Sequence, residues 1–362
     1  MAEGAALFAN WPDDRLTRLL GTQHPIIQAP MAGATSLGLV AGAIAGGALG
    51  SLPCGMLSED AVREAVNAVR ALEAGPLNLN FFCHDLPPDE DDGDWRAALS
   101  SFYGEYGIDG SGPTPPVRKP FDAAMCTVVE EAQPEIVSFH FGLPDAPLLD
   151  RVRATGARIL SSATTVEEAK FLADHGCDAV IAQGYEAGGH RGWFLGTEPD
   201  SQIGTIALVP MIVDAVSVPV IAAGGIADAR GIAAALALGA AGVQLGTAYL
   251  FAEEAPIIDV FQQALMSDRA GQTVLTNLFS GGVARGIANR LTDSFGAISD
   301  RAPPYPHASA ALAALRSAAE AAGDDGFSPL WAGQAAPLGA PTGAQALTER
   351  LAREALAQIG RA

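Results

Sequence analysis

Lysine is almost missing from this 362-residue chain, which carries only Lys119 and Lys170. Lys170 falls inside a helical pattern and Lys119 just ahead of one, so neither stands at a strand end as a Schiff-base nucleophile would. Basic residues as a whole are scarce, 21 against 41 acidic, and the net charge of −20 argues against nucleic acid or an anionic membrane as partner. The four cysteines, Cys54, Cys83, Cys126 and Cys177, lie far apart with no Cys-x-x-Cys pair, so neither a zinc site nor a disulfide framework is suggested. Reduced thiols fit a cytoplasmic location. No Gly-x-Ser-x-Gly elbow occurs, and carboxylates at strand ends are limited to Asp145 and Glu186. An elbow serine and a hard metal ion are therefore not expected. The start, Met1-Ala-Glu-Gly4, lacks the basic and apolar segments of a signal peptide. The charge-free stretches from Pro25 to Ser58 and from Gly231 to Ala252 are broken by prolines or glycines, so no membrane span is expected.

What is present is a steady alternation. Short apolar runs (Ile26–Ala29, Leu49–Leu52, Leu77–Phe82, Ile136–Phe139, Arg158–Ser161, Ala179–Gln183, Val218–Ala223, Gly242–Leu245) are separated by helical patterns, several opened by capping residues such as Ser58 and Thr165. Eight such units predict an α/β protein, a (β/α)8 TIM barrel over residues 15–252. An open doubly wound sheet is the alternative, but the Gly-x-Gly-x-x-Gly expected after its first strand is absent. Residues 83–119, acidic at Asp89-Glu-Asp-Asp92 and rich in Pro and Gly, read as an insertion or lid after the third strand. Residues 253–335 read as a smaller, mainly helical lobe, and residues 336–362 as a C-terminal helix packing back on the barrel.

In such a barrel the carboxyl ends of the strands carry the chemistry. His140, closing the run Val137-Ser-Phe-His140 before Gly142 and Pro144, is a group titrating near neutrality at that face. The turns after the seventh and eighth strands, Ala222-Ala-Gly-Gly-Ile-Ala-Asp228 and Gln244-Leu-Gly-Thr-Ala248, suit a phosphate. Glycines admit close backbone approach, and the helix start that follows is expected to offer free N–H groups. Uncharged amides at other strand ends (Asn80, Gln183, Gln244) suit a polar ring, and elimination leaves the chemistry to an organic cofactor.

The motifs Gln28-Ala-Pro-Met-Ala-Gly33, Asn78-Leu-Asn-Phe-Phe-Cys-His84, Ser138-Phe-His-Phe-Gly142, Gly184-Tyr-Glu-Ala-Gly-Gly-His-Arg-Gly192 and Ala284-Arg-Gly-Ile-Ala-Asn-Arg290 together resemble the nitronate monooxygenase (2-nitropropane dioxygenase) family over residues 20–340. The one departure is Gly282-Val283, where the family pattern has a more basic, proline-bearing pair. The resemblance implies noncovalent FMN and oxidation of alkyl nitronates, typically propionate 3-nitronate, by O2 to a carbonyl compound and nitrite. It implies His140 as the catalytic residue, and Met31, Asn80, Gln183, Gly188, Gly225, Gln244, Gly246 and Thr247 as FMN contacts. His84, His190 and Arg191 are the candidates to attract a carboxylate-bearing substrate. Expected partners are the small nitronate and O2, with a homodimer as the candidate assembly. The nearest rival is an NAD(P)H-dependent FMN reductase of the enoyl or quinone reductase type. Further rivals are a barrel that only binds a phosphorylated ligand, and an IMP dehydrogenase-like enzyme, which needs a loop cysteine that Cys83 and Cys126 do not supply.

Overall fold

The computed structural model describes residues 11–87, 92–110 and 118–360. Its strands are β1 (Ile26–Gln28), β2 (Gly50–Pro53), β3 (Leu77–Phe82), β4 (Ile136–His140), β5 (Arg158–Ala163), β6 (Ala179–Gln183), β7 (Gly189–His190), β8 (Val220–Ala223), β9 (Gly242–Leu245), β10 (Thr273–Thr276) and β11 (Ala284–Ile287). Eight of them pair in parallel in the order β1-β9-β8-β6-β5-β4-β3-β2. A parallel bridge between Ile27 and Leu49, with Gln28 N–H donating to the Leu49 carbonyl, joins the two edges. The sheet is thus a closed (β/α)8 barrel, as the alternation predicts.

Two-residue periodicity sorts every strand into a barrel side and a helix side. On β4, Val137 and Phe139 pack into the helix-facing core, whereas Ile136 joins an inner cluster with Ile27, Leu49, Leu160, Ile181 and Ile221. Leu16 and Leu20 of the helix Arg15–Leu20 complete that cluster and plug one end of the barrel. By the same period Ser138 and His140 share the inner side with Ile136. So do Asn78, Asn80 and Phe82 on β3, Ser162 on β5 and Gln183 on β6. The sequence pattern ends β4 at Phe139; the strand runs one residue further, which turns His140 inward instead of leaving it in the turn.

The second lobe differs from a mainly helical unit built from residues 253–335. It has helices Asp259–Leu265, Arg290–Phe295 and Ser309–Ala321, but also a three-stranded antiparallel sheet, β10-β11-β7. The third strand of that sheet is borrowed from the barrel loop after β6. The lobe's core also needs the insertion: Trp95, Leu99 and Tyr103 of the helix Gly93–Glu105 are buried against Leu291, Leu312, Leu315 and Phe327. Tyr103 Oη donates to the Ala311 carbonyl at 2.7 Å. That helix is packing, not lid; residues 89–91 of the acidic run lie outside the described residues. The helix Ala344–Ile359 lies against Leu37–Ala45 and Ala229–Ala237, sealing the outside of the barrel between its first and last units. Among the described residues no helix is long and apolar enough to cross a membrane.

Candidate active site

A cavity of about 360 Å3 opens at the carboxyl ends of the strands, between barrel and lobe. Met31, Asn80, His140, Gln183, Gly188, His190, Gly225, Gln244, Gly246 and Thr247 all line it. His84 and Arg191, also expected there, do not.

His140 is held at both nitrogens. Its Nε2 lies 3.2 Å from the His190 carbonyl and its Nδ1 3.1 Å from Ser162 Oγ. A carbonyl only accepts, so Nε2 carries the proton and Nδ1 accepts from the serine hydroxyl. Burial pushes its pKa down to about 4; the bond to the His190 carbonyl opposes this and the nearby Arg191 charge adds to it. The imidazole is neutral at pH 7. Gly192 makes room for it, since a Cβ there would sit 2.7 Å from Cε1. The next residue, Phe141, has φ 68°, a left-handed conformation that costs a non-glycine residue about 1–3 kcal/mol. The turn places the Phe141 ring 4.6 Å, centroid to centroid, from His140.

The opposite wall is glycine. Gly224 and Gly225 have φ of 107° and 70°, which only glycine adopts without strain, and a Cβ on Gly188 would fall 2.5 Å from Gly333 N. A Cβ on Gly246 would meet nothing closer than 3.7 Å, so space lies open there. Thr247 Oγ1 accepts from Gly333 N at 2.9 Å, which leaves its proton to donate elsewhere. The expectation of a free helix start after β8 is corrected. Asp228 Oδ1 accepts from Arg230 N and Gly231 N, so the helix Ala229–Ala237 is capped by its own carboxylate. An anion at this wall must rest on the glycine turns. Met31 N–H donates to Thr35 Oγ1 and its carbonyl accepts one bond from Ala34 N, which leaves the carbonyl a second lone pair and the side chain to meet a ligand.

The amides divide into fixed and free. Gln183 Nε2 donates to the His190 carbonyl at 3.0 Å while its Oε1 accepts from Gly192 N at 2.7 Å, fastening the loop after β6. Asn80 Nδ2 donates to Ser138 Oγ at 3.0 Å. Gln244 faces the cavity with no side-chain hydrogen bond among the described residues.

The positive charge foreseen on this face sits elsewhere. Arg191 is fully buried and spends its guanidinium on Gln202 Oε1 and the carbonyls of Gly184 and Gln183, so it braces the loop from behind. His190 is pushed well below its ordinary pKa by burial and then by the charge of Arg118; burial lowers His84 as well. Both are neutral at pH 7. His84 donates from Nε2 to the Arg118 carbonyl at 3.0 Å, behind the wall. The wall cation with no carboxylate partner among the described residues is Arg118, which sequence reasoning missed because it ends the insertion with no motif around it. Ser162 was also missed, although its place two residues after the inward Leu160 could have revealed it.

A family model described as nitronate monooxygenase matches residues 13–354. The chain is 42% identical over 346 residues to the nitronate monooxygenase of Paraburkholderia phytofirmans, covering 94% of each chain. It is 41% identical over 354 residues to that of Pseudomonas aeruginosa, covering 94% of this chain and 99% of the other. Among solved structures, nitroalkane oxidase from Streptomyces ansochromogenes superposes with a TM-score of 0.86 at 36% identity, covering 96% of this chain and 99% of that one.

Proposed function

The chain belongs to the nitronate monooxygenase family, and we propose that it holds FMN and oxidises alkyl nitronates with O2 to a carbonyl compound and nitrite, with propionate 3-nitronate as its preferred substrate. One observation carries this reading: the His140 imidazole and a wall of glycine turns face the same cavity. The residues fit the cofactor. Gly225, Gly246 and Thr247 would take the phosphate, where left-handed glycines and open space leave backbone and hydroxyl donors accessible. Gln244, with no protein partner among the described residues, and the flanking Asn80 and Gln183 would meet ring and ribityl, with Met31 and Gly188 beside them. When bound, FMN supplies the electron acceptor and the route of the electrons to O2.

The protein's own contribution follows from the state of His140. A base works best with a pKa near the operating pH, and burial puts His140 at about 4. It is poorly matched to pulling a proton from a neutral nitroalkane. A nitronate arrives already deprotonated and needs its negative oxygens steadied instead. The Nε2–H now shared with the His190 carbonyl can do that, and in a dry cavity such a donor is worth more than in water. Ser162 keeps the proton on Nε2 by occupying Nδ1. Gln183 and Arg191 keep the His190 carbonyl in place.

The test is O2 consumption with nitrite release on propionate 3-nitronate against ethyl and propyl nitronates. Turnover with equal O2 uptake and nitrite release supports the reading. No nitrite from any of them, together with rapid anaerobic bleaching of the flavin by NADH, would replace it with a reductase.

A further inference from the structure

Three neighbouring polar atoms are buried without a hydrogen bond: Arg118 Nη1 on the cavity wall, and Tyr305 Oη and His84 Nδ1 behind it. They come from three separate stretches, the end of the insertion, the second lobe and the end of β3. The rings of His84 and Tyr305 are 4.9 Å apart, and the Arg118 guanidinium lies 5.7 Å over the Tyr305 ring. Such atoms are rare in native proteins, where about 90% or more of buried polar groups are paired. Of the three only Arg118 lines the cavity, so it is the one whose missing partner a ligand there would supply, with Tyr305 interacting with the guanidinium from behind. We propose that Arg118, seated by His84 and backed by Tyr305, is the specificity-determining residue that receives a carboxylate on the far end of the substrate. This rests on the nitronate reading of the same cavity.

Charge selects the ligand class. No carboxylate among the described residues pairs with Arg118, whereas the other guanidinium on the cavity wall, Arg316, is paired with Glu320. The neighbouring histidines are depressed by burial and stay neutral at pH 7. One uncompensated cation therefore faces the cavity, matching a single anionic tail, and a guanidinium fork suits a planar carboxylate. The −20 of the protein does not cancel it, because surface charge is screened beyond about 8 Å at physiological salt. The receptor is built, not incidental. His84 Nε2 fixes the Arg118 carbonyl, and Phe121 N–H ties the following chain to the Phe82 carbonyl at 2.7 Å. Gly282 lets Tyr305 in, since a Cβ there would sit 3.0 Å from its Cδ2 and 3.3 Å from His190 Cδ2. A glycine thus fits the first residue of the Gly282-Val283 pair.

The holoenzyme and its R118Q and R118K variants are compared on propionate 3-nitronate and on propyl nitronate, which puts a methyl where the carboxylate was. Loss of a charge-assisted bond predicts a fall in kcat/KM of about 10- to 100-fold for R118Q on the carboxylated substrate, carried mainly by KM, and less than about twofold on propyl nitronate. R118K should recover part of the preference. Equal losses on both substrates, no loss on the carboxylated one, or R118K indistinguishable from R118Q would each overturn the proposal. Butanoate, which cannot react, is titrated in parallel against the visible flavin spectrum. It should saturate wild type at least about 10-fold below R118Q. If wild type releases no nitrite from either nitronate, the proposed reaction fails, while the butanoate titration still decides the role of Arg118.

Discussion

Replacing His140 by alanine tests the central side chain in two independent ways. The imidazole lines the cavity beside the glycine turns but is not among the groups assigned to grip the cofactor, so the variant should purify with its flavin and lose most turnover. The second readout is stability. His140 has a pKa of about 4 in the folded protein against 6.5 for the free side chain. A depressed histidine binds its proton more weakly when folded, so its contribution is fully present above about pH 6.5 and is lost as pH falls towards 4. The shift of about 2.5 units amounts to roughly 3 kcal/mol at the acid end, most of it already gone near pH 4.5. Urea unfolding of both proteins at pH 7 and near pH 4.5 should therefore show wild type losing about 2–3 kcal/mol more than H140A, the other titrating groups being common to both. Two results would refute the reasoning. Parallel losses within about 0.5 kcal/mol would mean that the imidazole is not desolvated. Nitrite release near the wild-type rate would mean that it does not act on the substrate.

Ser162→Ala leaves Nδ1 of His140 without its donor; kcat should fall about 10-fold, in line with a bond worth about 1–1.5 kcal/mol, with flavin content unchanged in the visible spectrum. Gly188→Ala puts a methyl 2.5 Å from Gly333 N and 2.6 Å from the Ala332 carbonyl carbon, so the variant should purify with markedly less flavin, measured as the ratio of visible to ultraviolet absorbance. Trp95→Ala empties a fully buried site where the insertion helix meets the lobe and should cost about 3–5 kcal/mol by urea unfolding. An insertion acting only as a lid would leave stability unchanged.

The barrel was legible because its signal is local. Each strand is a short apolar run bounded by glycine or proline, and the alternation along Leu77–Phe82 already says which residues face inward. His140, Gln183 and Gln244 stand out by the same logic, as polar residues at the ends of otherwise apolar runs. What stayed hidden depends on contacts between distant segments. Nothing local in Gly189–His190 announces a strand; it becomes one only because Ala284 and Arg285 pair with it. Trp95 and Leu99 look like the apolar side of an isolated loop helix until Leu312 and Phe327 are brought against them. Arg191 illustrates the opposite failure. A histidine-arginine pair after glycines reads as exposed positive charge, yet on a strand successive side chains point to opposite sides, so His190 reaches the cavity and Arg191 cannot.

The pairing of β7 with β11 also ties the second lobe to the orientation of His140. His190 is held on the lobe side by this ladder, by Arg191 N–H donating to the Val283 carbonyl at 2.9 Å and by its Nε2 at 2.8 Å from Ser280 Oγ. Its carbonyl in turn holds Nε2 of His140, which rises from the barrel. The orientation of the barrel's imidazole is thus set through a residue whose position the lobe dictates. A lobe that swung freely would lose that carbonyl with every opening. Cutting one part of the link without touching the cavity wall should show this: Ser280→Ala removes the hydroxyl that lies 2.8 Å from His190 Nε2. The expected result is a drop in kcat with flavin retained and a rise in the exchange rate of the His190 and Arg191 amides. Unchanged exchange at those amides alongside lost activity would instead place the damage elsewhere, and the lobe would revert to a simple cover.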